Sequence, residues 1–392
     1  MRSVPCIFEI FQGDQDPHAH LPSASGARWW LLRMGLYALR EPLVQATDWV
    51  YIIDHSIQIG TTKLCLILGV RLSDLLGPSR PLRHSDMRLL ALIPTEQSNG
   101  QIVLQQLETT AQRTGIPRAI VSDHGSDVKS GGELFVAEHP ETALVYDVAH
   151  EGAILLKRLF QADDRWVRLI AQLGQTKTRM QQTADAFLMS PGLRPKARYM
   201  NLCSLLRWSR RILELLARGT AGGYVTERTK ARYGWVEEFR GVLNEWSRWE
   251  DTVRSSIEFI RVHGFYQNCE VDLAVHLSQR PSAMRHRRLE TELITFARSQ
   301  SVSARPGERL VGSSEVEESV FGKLKALEGD QSRSGFTRYV LSLGALVGDW
   351  PPTRIKEALE NTPVKMVQAW CAEHLPISVQ AQRRIAFSST TP

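Results

Sequence analysis

Residues 49–70 set the first limit on what this chain can fold into. Trp49-Val50-Tyr51-Ile52-Ile53-Asp54 is rich in β-branched and aromatic residues, and a turn at Gly60-Thr61-Thr62 leads into Lys63-Leu64-Cys65-Leu66-Ile67-Leu68-Gly69-Val70. The second arm is almost wholly apolar, the pattern of a central strand covered on both faces. Covering both faces takes helices, and the chain supplies them. Residues 27–42 have helical apolar spacing and stop at Pro42, and residues 100–115 form an amphipathic helix that ends at Gly115. Further strands fit residues 87–93, 118–122 and 143–146, with a short helix near 131–138 and a long one from about Glu151. The order β-β-β-α-β-α-β-α predicts an α/β fold with a mixed five-stranded sheet flanked by helices.

After residue 157 the strand signals vanish. Helical, arginine-rich and tryptophan-bearing segments run to about 312, and the Ser/Gly/Pro-containing stretch 301–312 returns the chain to the core. Four segments are expected: a helical 1–46, the first part of the core at 47–157, a basic α-helical insertion at 158–312, and a return helix with C-terminal helices at 313–392. A chain of 392 residues, 43% apolar, can bury a core of that size. No apolar run reaches the roughly 18–20 residues that span a bilayer, and the start lacks a signal-peptide pattern, so no membrane association is expected. The five cysteines (Cys6, Cys65, Cys203, Cys269, Cys371) are dispersed, with neither CxxC nor zinc-ligand spacing. That usage fits reduced thiols in a cytoplasmic protein.

The net charge of +6 is unevenly spread. Residues 157–309 hold 27 Lys and Arg against 16 Asp and Glu, a surplus of 11, so the remainder of the chain is at −5. A basic middle between acidic ends suits either a polyanion-binding surface next to a carboxylate site or a solvated helical face. Arg194, Lys196, Arg198, Arg207, Arg210, Arg211, Arg228, Lys230 and Arg232 cluster with Trp208 and Trp235, and Arg285, Arg287 and Arg288 form a second patch. Arginines neutralise phosphates and aromatic rings stack on unpaired bases. Trp246 and Trp249, three apart, read as helix core.

Three carboxylates are the candidate chemistry. Asp54 shares a strand face with Val50 and Ile52, where a charge costs several kcal/mol unless it pairs with a buried lysine or holds a cation. Asp123 follows the apolar Ala119-Ile120-Val121 at a strand's carboxyl end, as a ligand or as a helix N-cap, with Asp127 a competitor for that position. In Ser313-Ser314-Glu315-Val316-Glu317-Glu318-Ser319-Val320-Phe321, Ser314 and Glu317 match an S-x-x-E capping box, so the helix begins at Glu315. Glu315 and Glu317 then read as first-turn residues favoured by the helix dipole, and Glu318 as the metal ligand. Val316, Val320, Leu324 and Leu327 are the expected packing stripe. Asp54, Asp123 and Glu318 are thus expected to hold two Mg2+ or Mn2+ ions, which need oxygen ligands and stabilise in-line phosphoryl displacement. Gly60-Thr61-Thr62-Lys63 lacks the full phosphate-loop motif, neither HExxH nor GxSxG occurs, and alternation turns His55 away from Asp54, so a zinc site with His55 and His124 is not expected.

The strand order with Asp, Asp and a late Glu resembles the RNase H-like DDE transposases of bacterial insertion sequences, over about 49–157 and 313–330. Asp54 stands in the first strand, Asp123 in VSDHGSD after the fourth, and SSEVEESVFGKLK is similar to the family's last acidic helix, with Lys325 seven residues after Glu318. Asp147-Val148-Ala149-His150 is similar to the (C/D)xxH motif before that family's helical insertion. The resemblance implies metal-dependent cleavage and strand transfer at element ends, in a nucleoid-associated homo-oligomer on double-stranded DNA. It also implies that Asp147 and His150 support the site, that Lys325 contacts a phosphate, and that Trp208 stacks on a base. Only about 45 residues precede the first strand, too few for the family's helix-turn-helix, so 1–46 reads as a truncated DNA-binding region unless recognition lies elsewhere. The other readings are an inactive DNA-binding remnant and an RNase H-like nuclease without strand transfer.

Overall fold

The computed structural model describes residues 23–59, 62–123, 125–192, 199, 202–219, 227–281, 286–328, 338–377 and 379–388. Gly60, Thr61, His124, Arg194, Lys196, Arg198 and Arg285, singled out above, lie outside the described residues. The chain divides into two compact units, Met1–Asp147 with Leu310–Pro392, and Val148–Arg309.

The first unit opens with helix α1 (Ala24–Arg40), whose N-cap Ser23 accepts a hydrogen bond from the Gly26 amide. Five strands follow: β1 (Trp49–Ile59), β2 (Thr62–Arg71), β3 (Arg88–Thr95), β4 (Ala119–Ser122) and β5 (Ala143–Tyr146). They form one mixed sheet in the order β3-β2-β1-β4-β5. β1, β2 and β3 pair antiparallel, while β1, β4 and β5 pair parallel. Leu64 to Leu68 of β2 are fully buried, as a strand covered on both faces must be.

Between the parallel strands run α2 (Gly100–Thr114) and α3 (Ser126–Glu138). Asn99 caps α2 by accepting from the Ile102 amide. Gly115 ends α2 with φ +84, and an added Cβ would lie 2.7 Å from the Ala46 carbonyl oxygen, so only glycine fits that close turn. Val103, Leu107, Ala111, Val128 and Phe135 of the two helices pack on Tyr51, Ile53, Cys65 and Ile67. That core covers the odd-numbered face of β1 and β2.

The second unit is helical throughout its described residues, with α4 (Val148–Gln161), α5 (Asp164–Met180), α6 (Leu202–Arg218), α7 (Glu227–Tyr233), α8 (Arg240–His263), α9 (Cys269–Ser278) and α10 (Arg287–Ser301), besides short 3-10 turns. Its centre is aromatic. Phe160 meets Trp166, Trp246 and Trp249 at ring distances of 4.5, 5.6 and 5.3 Å. Trp246 and Trp249 are buried, the core position that their spacing suggested. Residues 148–157 were expected in the sheet core, but α4 belongs to this helical unit. Its Gly152 lets α4 approach α8 so closely that an added Cβ would lie 2.5 Å from Val253.

The chain returns through α11 (Glu315–Glu328), α12 (Ser342–Ala345), α13 (Pro352–Asn361), α14 (Val364–His374) and α15 (Val379–Ser388). Helices α12, α13 and α14 pack on α1. Arg33 donates to the carbonyls of Thr362 and Leu359 at the end of α13, and Arg354 pairs with Glu41 at 2.5 Å. Arg338 lies over the Trp29 ring at 5.0 Å. Of the 1–46 segment, residues 23–46 therefore belong to the body of the first unit, held there by the C-terminal helices. The four described cysteines are free. Among the described residues no helix is long and apolar enough to cross a membrane.

The tightest contact in that helical layer is at Gly35 of α1, where an added Cβ would fall 1.7 Å from the Leu341 carbonyl oxygen. Backbone atoms cannot swing aside as a side chain can. Gly35→Ala is therefore expected to cost more than about 3 kcal/mol, beyond ordinary overpacking. Chemical denaturation monitored by circular dichroism checks this, and a loss below about 1 kcal/mol would refute the packing described.

Candidate active site

The parallel register of the sheet brings its acidic residues side by side. Ile53 stands opposite Ser122, and Ser122 opposite Tyr146. One residue further along each strand come Asp54, Asp123 and Asp147. Because side chains alternate, Asp54 leaves the face that packs on α2 and α3 and turns to the other, and Asp123 and Asp147 follow directly on the ends of β4 and β5. Helix α11 lies against β1.

Asp147 anchors that helix. Its buried carboxylate accepts from both the amide and the hydroxyl of Ser314, just before α11 begins. The reciprocal half of the expected capping box is not formed: the Ser314 amide, to which the Glu317 side chain would have reached back, donates to Asp147 instead. Glu317 turns inward instead. It is 0% exposed, and neither carboxyl oxygen has a well-formed hydrogen-bond partner. Its spacing to Val320, Phe321 and Leu324, all buried, places it on the helix's packed face. That 3-4-7 pattern is legible in the sequence, but the S-x-x-E match assigned Glu317 to the helix end.

Burial pushes the Glu317 carboxyl well above its ordinary range, and the nearby charges of Asp54, Asp123 and Glu318 push it further. The Asp54 backbone N–H leans toward it and offsets little of this. A sealed carboxylate facing two aspartates is strongly unfavourable unless a proton or a cation joins it. Glu318, chosen from sequence, is only half-buried, and Glu315 is exposed. Lys325 is exposed and follows Glu317 by eight residues, while the position seven after Glu317 is the buried Leu324.

Asp123 closes a local turn by accepting from the Gly125 amide at 2.8 Å. It is not the cap of α3, whose N-cap is Gly125. Asp127 is occupied elsewhere. It pairs with Lys63 at 3.0 Å and His55 at 3.3 Å, and also accepts from Ser98. Burial works to raise its pKa, but these hydrogen bonds outweigh it and hold the carboxyl well below the usual carboxylate range.

Asp54 and Asp123 lie near enough for their charges to act on Glu317. Among the described residues, the set of three ligand-type atoms lying within 4.8 Å of one another is instead Glu108, Glu138 and His139. There His139 bonds Glu108 at 2.7 Å and packs on Phe135 at 4.4 Å, pinning α3 to α2. That arrangement explains itself as a helix–helix contact.

In the second unit, His150 lies half-buried in the first turn of α4. Arg207, Arg210 and Arg211 are exposed on α6. Trp208 between them is committed to packing: its indole donates to the Leu188 carbonyl at 2.9 Å, and its ring meets Tyr233 edge-on at 6.0 Å. A ring so held is badly placed to stack on a base. Trp235 likewise donates to Thr176 at 3.1 Å.

The buried Glu317 makes a sign-definite prediction. Because its folded pKa is raised, the folded chain keeps a proton that the unfolded chain has already released. Stability therefore falls as pH rises from the ordinary glutamate value through the raised one. Glu317→Gln is expected to flatten that slope and raise Tm by several degrees at about pH 8 without divalent ions. Thermal melts of both proteins across pH in chelator check this, and parallel slopes would sink it.

No family model matches this chain, and no curated protein matches it. Among solved structures it is similar to the Drosophila P element transposase strand transfer complex, at 10% identity and a TM-score of 0.36, over 83% of this chain and 85% of that one. At that level of likeness the functional reading rests on the site's own geometry.

Proposed function

We propose that this chain is an RNase H-like DDE transposase of an insertion sequence, in which Asp54, Asp123 and Glu317 are the acidic triad. The observation that carries the reading is Glu317: a carboxyl group sealed from water, on which the charges of two aspartates from remote parts of the chain act. Such a group is a liability in a purely structural protein and suits one that holds cations. The mixed sheet supports the same reading, as does the helical unit standing between Asp147 and the acidic helix. Glu317 replaces Glu318 as the third ligand, and Glu318 becomes a flanking charge.

The buried Glu317 carboxyl fits a divalent-ion site, and in-line phosphoryl displacement uses two such ions. Held by Asp54, Asp123 and Glu317, Mg2+ or Mn2+ would supply positive charge where the attacking and leaving oxygens of a phosphodiester gather charge. The chain's own part is to fix those carboxylates and to hold DNA. Asp147 orients α11 and with it Glu317. Arg207, Arg210, Arg211 and Lys325 bind backbone phosphates without reading sequence. The reaction is hydrolysis of a phosphodiester at an element end, followed by attack of the freed 3′-hydroxyl on a target phosphodiester. Double-stranded DNA is the substrate, and the active form is a homo-oligomer on DNA in the bacterial nucleoid.

Plasmid carrying the terminal repeats that flank the gene is expected to be nicked in Mg2+ and not in chelator. Asp54→Asn, Asp123→Asn and Glu317→Gln are each expected to lower the rate by about 10³-fold or more while retaining DNA binding. Glu318→Gln is expected to stay within about tenfold of wild type. An inactive Glu318→Gln beside an active Glu317→Gln would return the ligand role to Glu318. Nicking without joining of a labelled 3′ end to target would make the chain a nuclease, and binding without nicking a DNA-binding remnant.

Replacing Arg207, Arg210 and Arg211 with alanine together is expected to reduce the slope of log K against log salt by about 2–3. Fluorescence anisotropy on duplex DNA at several salt concentrations measures this, and an unchanged slope would remove α6 from the interface.

A further inference from the structure

Asp54 is followed at once by a break in the strand pairing. Asp54 stands opposite Leu66 and Ile57 opposite Leu64, so His55 and Ser56 together face Cys65 alone. Such a bulge adds one residue to one strand, sharpens the local twist and re-aims the side chains beside it. Left alone, a bulge in a long strand is a soft point, because its extra residue leaves the ladder.

This bulge is not left alone. On the sheet face opposite Asp54, the His55 side chain is 5% exposed and each ring nitrogen has a partner. Nδ1 meets Ser98 Oγ at 2.9 Å and Asp127 Oδ2 at 3.3 Å, and Nε2 meets Gln106 Oε1 at 3.3 Å. Asp127 is fixed in turn by Lys63 at 3.0 Å and by Ser98. The partners come from four separate places: β2, the β3–α2 loop, α2 and the first turn of α3. Cys65, opposite the bulge, lies among the same charges. Burial pushes its thiol well up, and Glu317, Asp54 and Asp127 push it further, so it stands between the two acidic groups.

We propose that His55 is a positioning residue for Asp54: with Ser98, Asp127, Lys63 and Gln106 it clamps the bulge from behind, and so fixes the direction in which Asp54 meets the ion site. The inference rests on Asp54, Asp123 and Glu317 being divalent-ion ligands. The clamp never touches the ion. It acts through one peptide unit, because His55 and Asp54 are neighbours on opposite faces of one strand, and rotation of either backbone swings both side chains. Groups that orient ligands in this way change metal affinity by about 10–100-fold when removed.

Mn2+ binding to the full chain tests this, with free and bound ion followed by electron paramagnetic resonance. Wild type is expected to bind and Asp54→Asn to lose binding. His55→Gln and Ser98→Ala are expected to weaken binding by about tenfold and broaden the bound-ion spectrum. Leu107→Ala, in the same core but outside the clamp, is expected to lower Tm at least as much and keep wild-type affinity. Wild-type affinity and spectrum in both clamp variants would overturn the proposal and leave the site standing. Equal weakening in Leu107→Ala would also overturn it, as mere loosening. If Asp54→Asn binds Mn2+ as wild type does, the site reading fails and the clamp falls with it. Should His55→Gln not fold, Ser98→Ala decides alone.

Discussion

A carboxylate sealed from water, with other carboxylates as its nearest charges, is the constraint on which the first unit depends. Folding does not bury a lone charge by accident, because desolvation alone costs several kcal/mol per ion. Glu317 stays buried because everything around it is secured. Val320, Phe321 and Leu324 pack the same helix face. Asp147 and Ser314 satisfy one another at the start of the helix, so the Ser314 amide is not available to Glu317. The packing that stabilises α11 therefore maintains the electrostatic stress at its first turn.

The opposing aspartates owe their place to period-two geometry. Parallel strands in register carry corresponding residues at the same height, so Asp54 within β1 comes level with Asp123 and Asp147, just past the ends of β4 and β5. Alternation along β1 sends Asp54 to one face. The same alternation sends His55 to the other face, where a second acidic residue, Asp127, is fully answered by Lys63, Ser98 and His55. Two carboxylate environments thus lie back to back across one layer of backbone. The one around Asp127 is answered by a lysine, a serine and a histidine, and the one around Glu317 is dominated by other carboxylates.

Much of this was legible in the sequence, because period and composition are local. The all-apolar run at 64–68 marked a strand buried on both faces, and the fourth and fifth strands announced themselves by short apolar runs before an aspartate. Asp54 and His55 could be assigned to opposite faces by counting alone. What failed was local reasoning applied to a non-local contact. Ser314-x-x-Glu317 fits a capping box, yet Ser314 is captured by Asp147, which lies 167 residues earlier. Nothing near Glu317 signals that competition except the buried spacing to Val320, Phe321 and Leu324. The place of α1 was hidden for the same reason. Its Arg33 bonds to carbonyls 326 and 329 residues away, and its Gly35 is explained only by the Leu341 backbone. Trp208 reads as an aromatic among arginines until the Leu188 carbonyl and Tyr233 ring come into view.

The Asp147–Ser314 contact has a second consequence. Asp147 is the last residue before the helical unit, and Ser314 follows soon after the chain returns at Leu310. Their hydrogen bonds tie together the two ends of an excursion that carries its own aromatic core. Closing a longer loop costs little more than closing a shorter one, about 0.6 kcal/mol for each doubling. The helical unit is therefore free to change in length, and its exposed arginines to change in number, at small cost to the acidic site. The carboxylates have no such freedom. Each is fixed by strand register or by the anchor at Asp147, and moving Asp54 one residue along β1 turns its carboxylate toward the other side of the sheet.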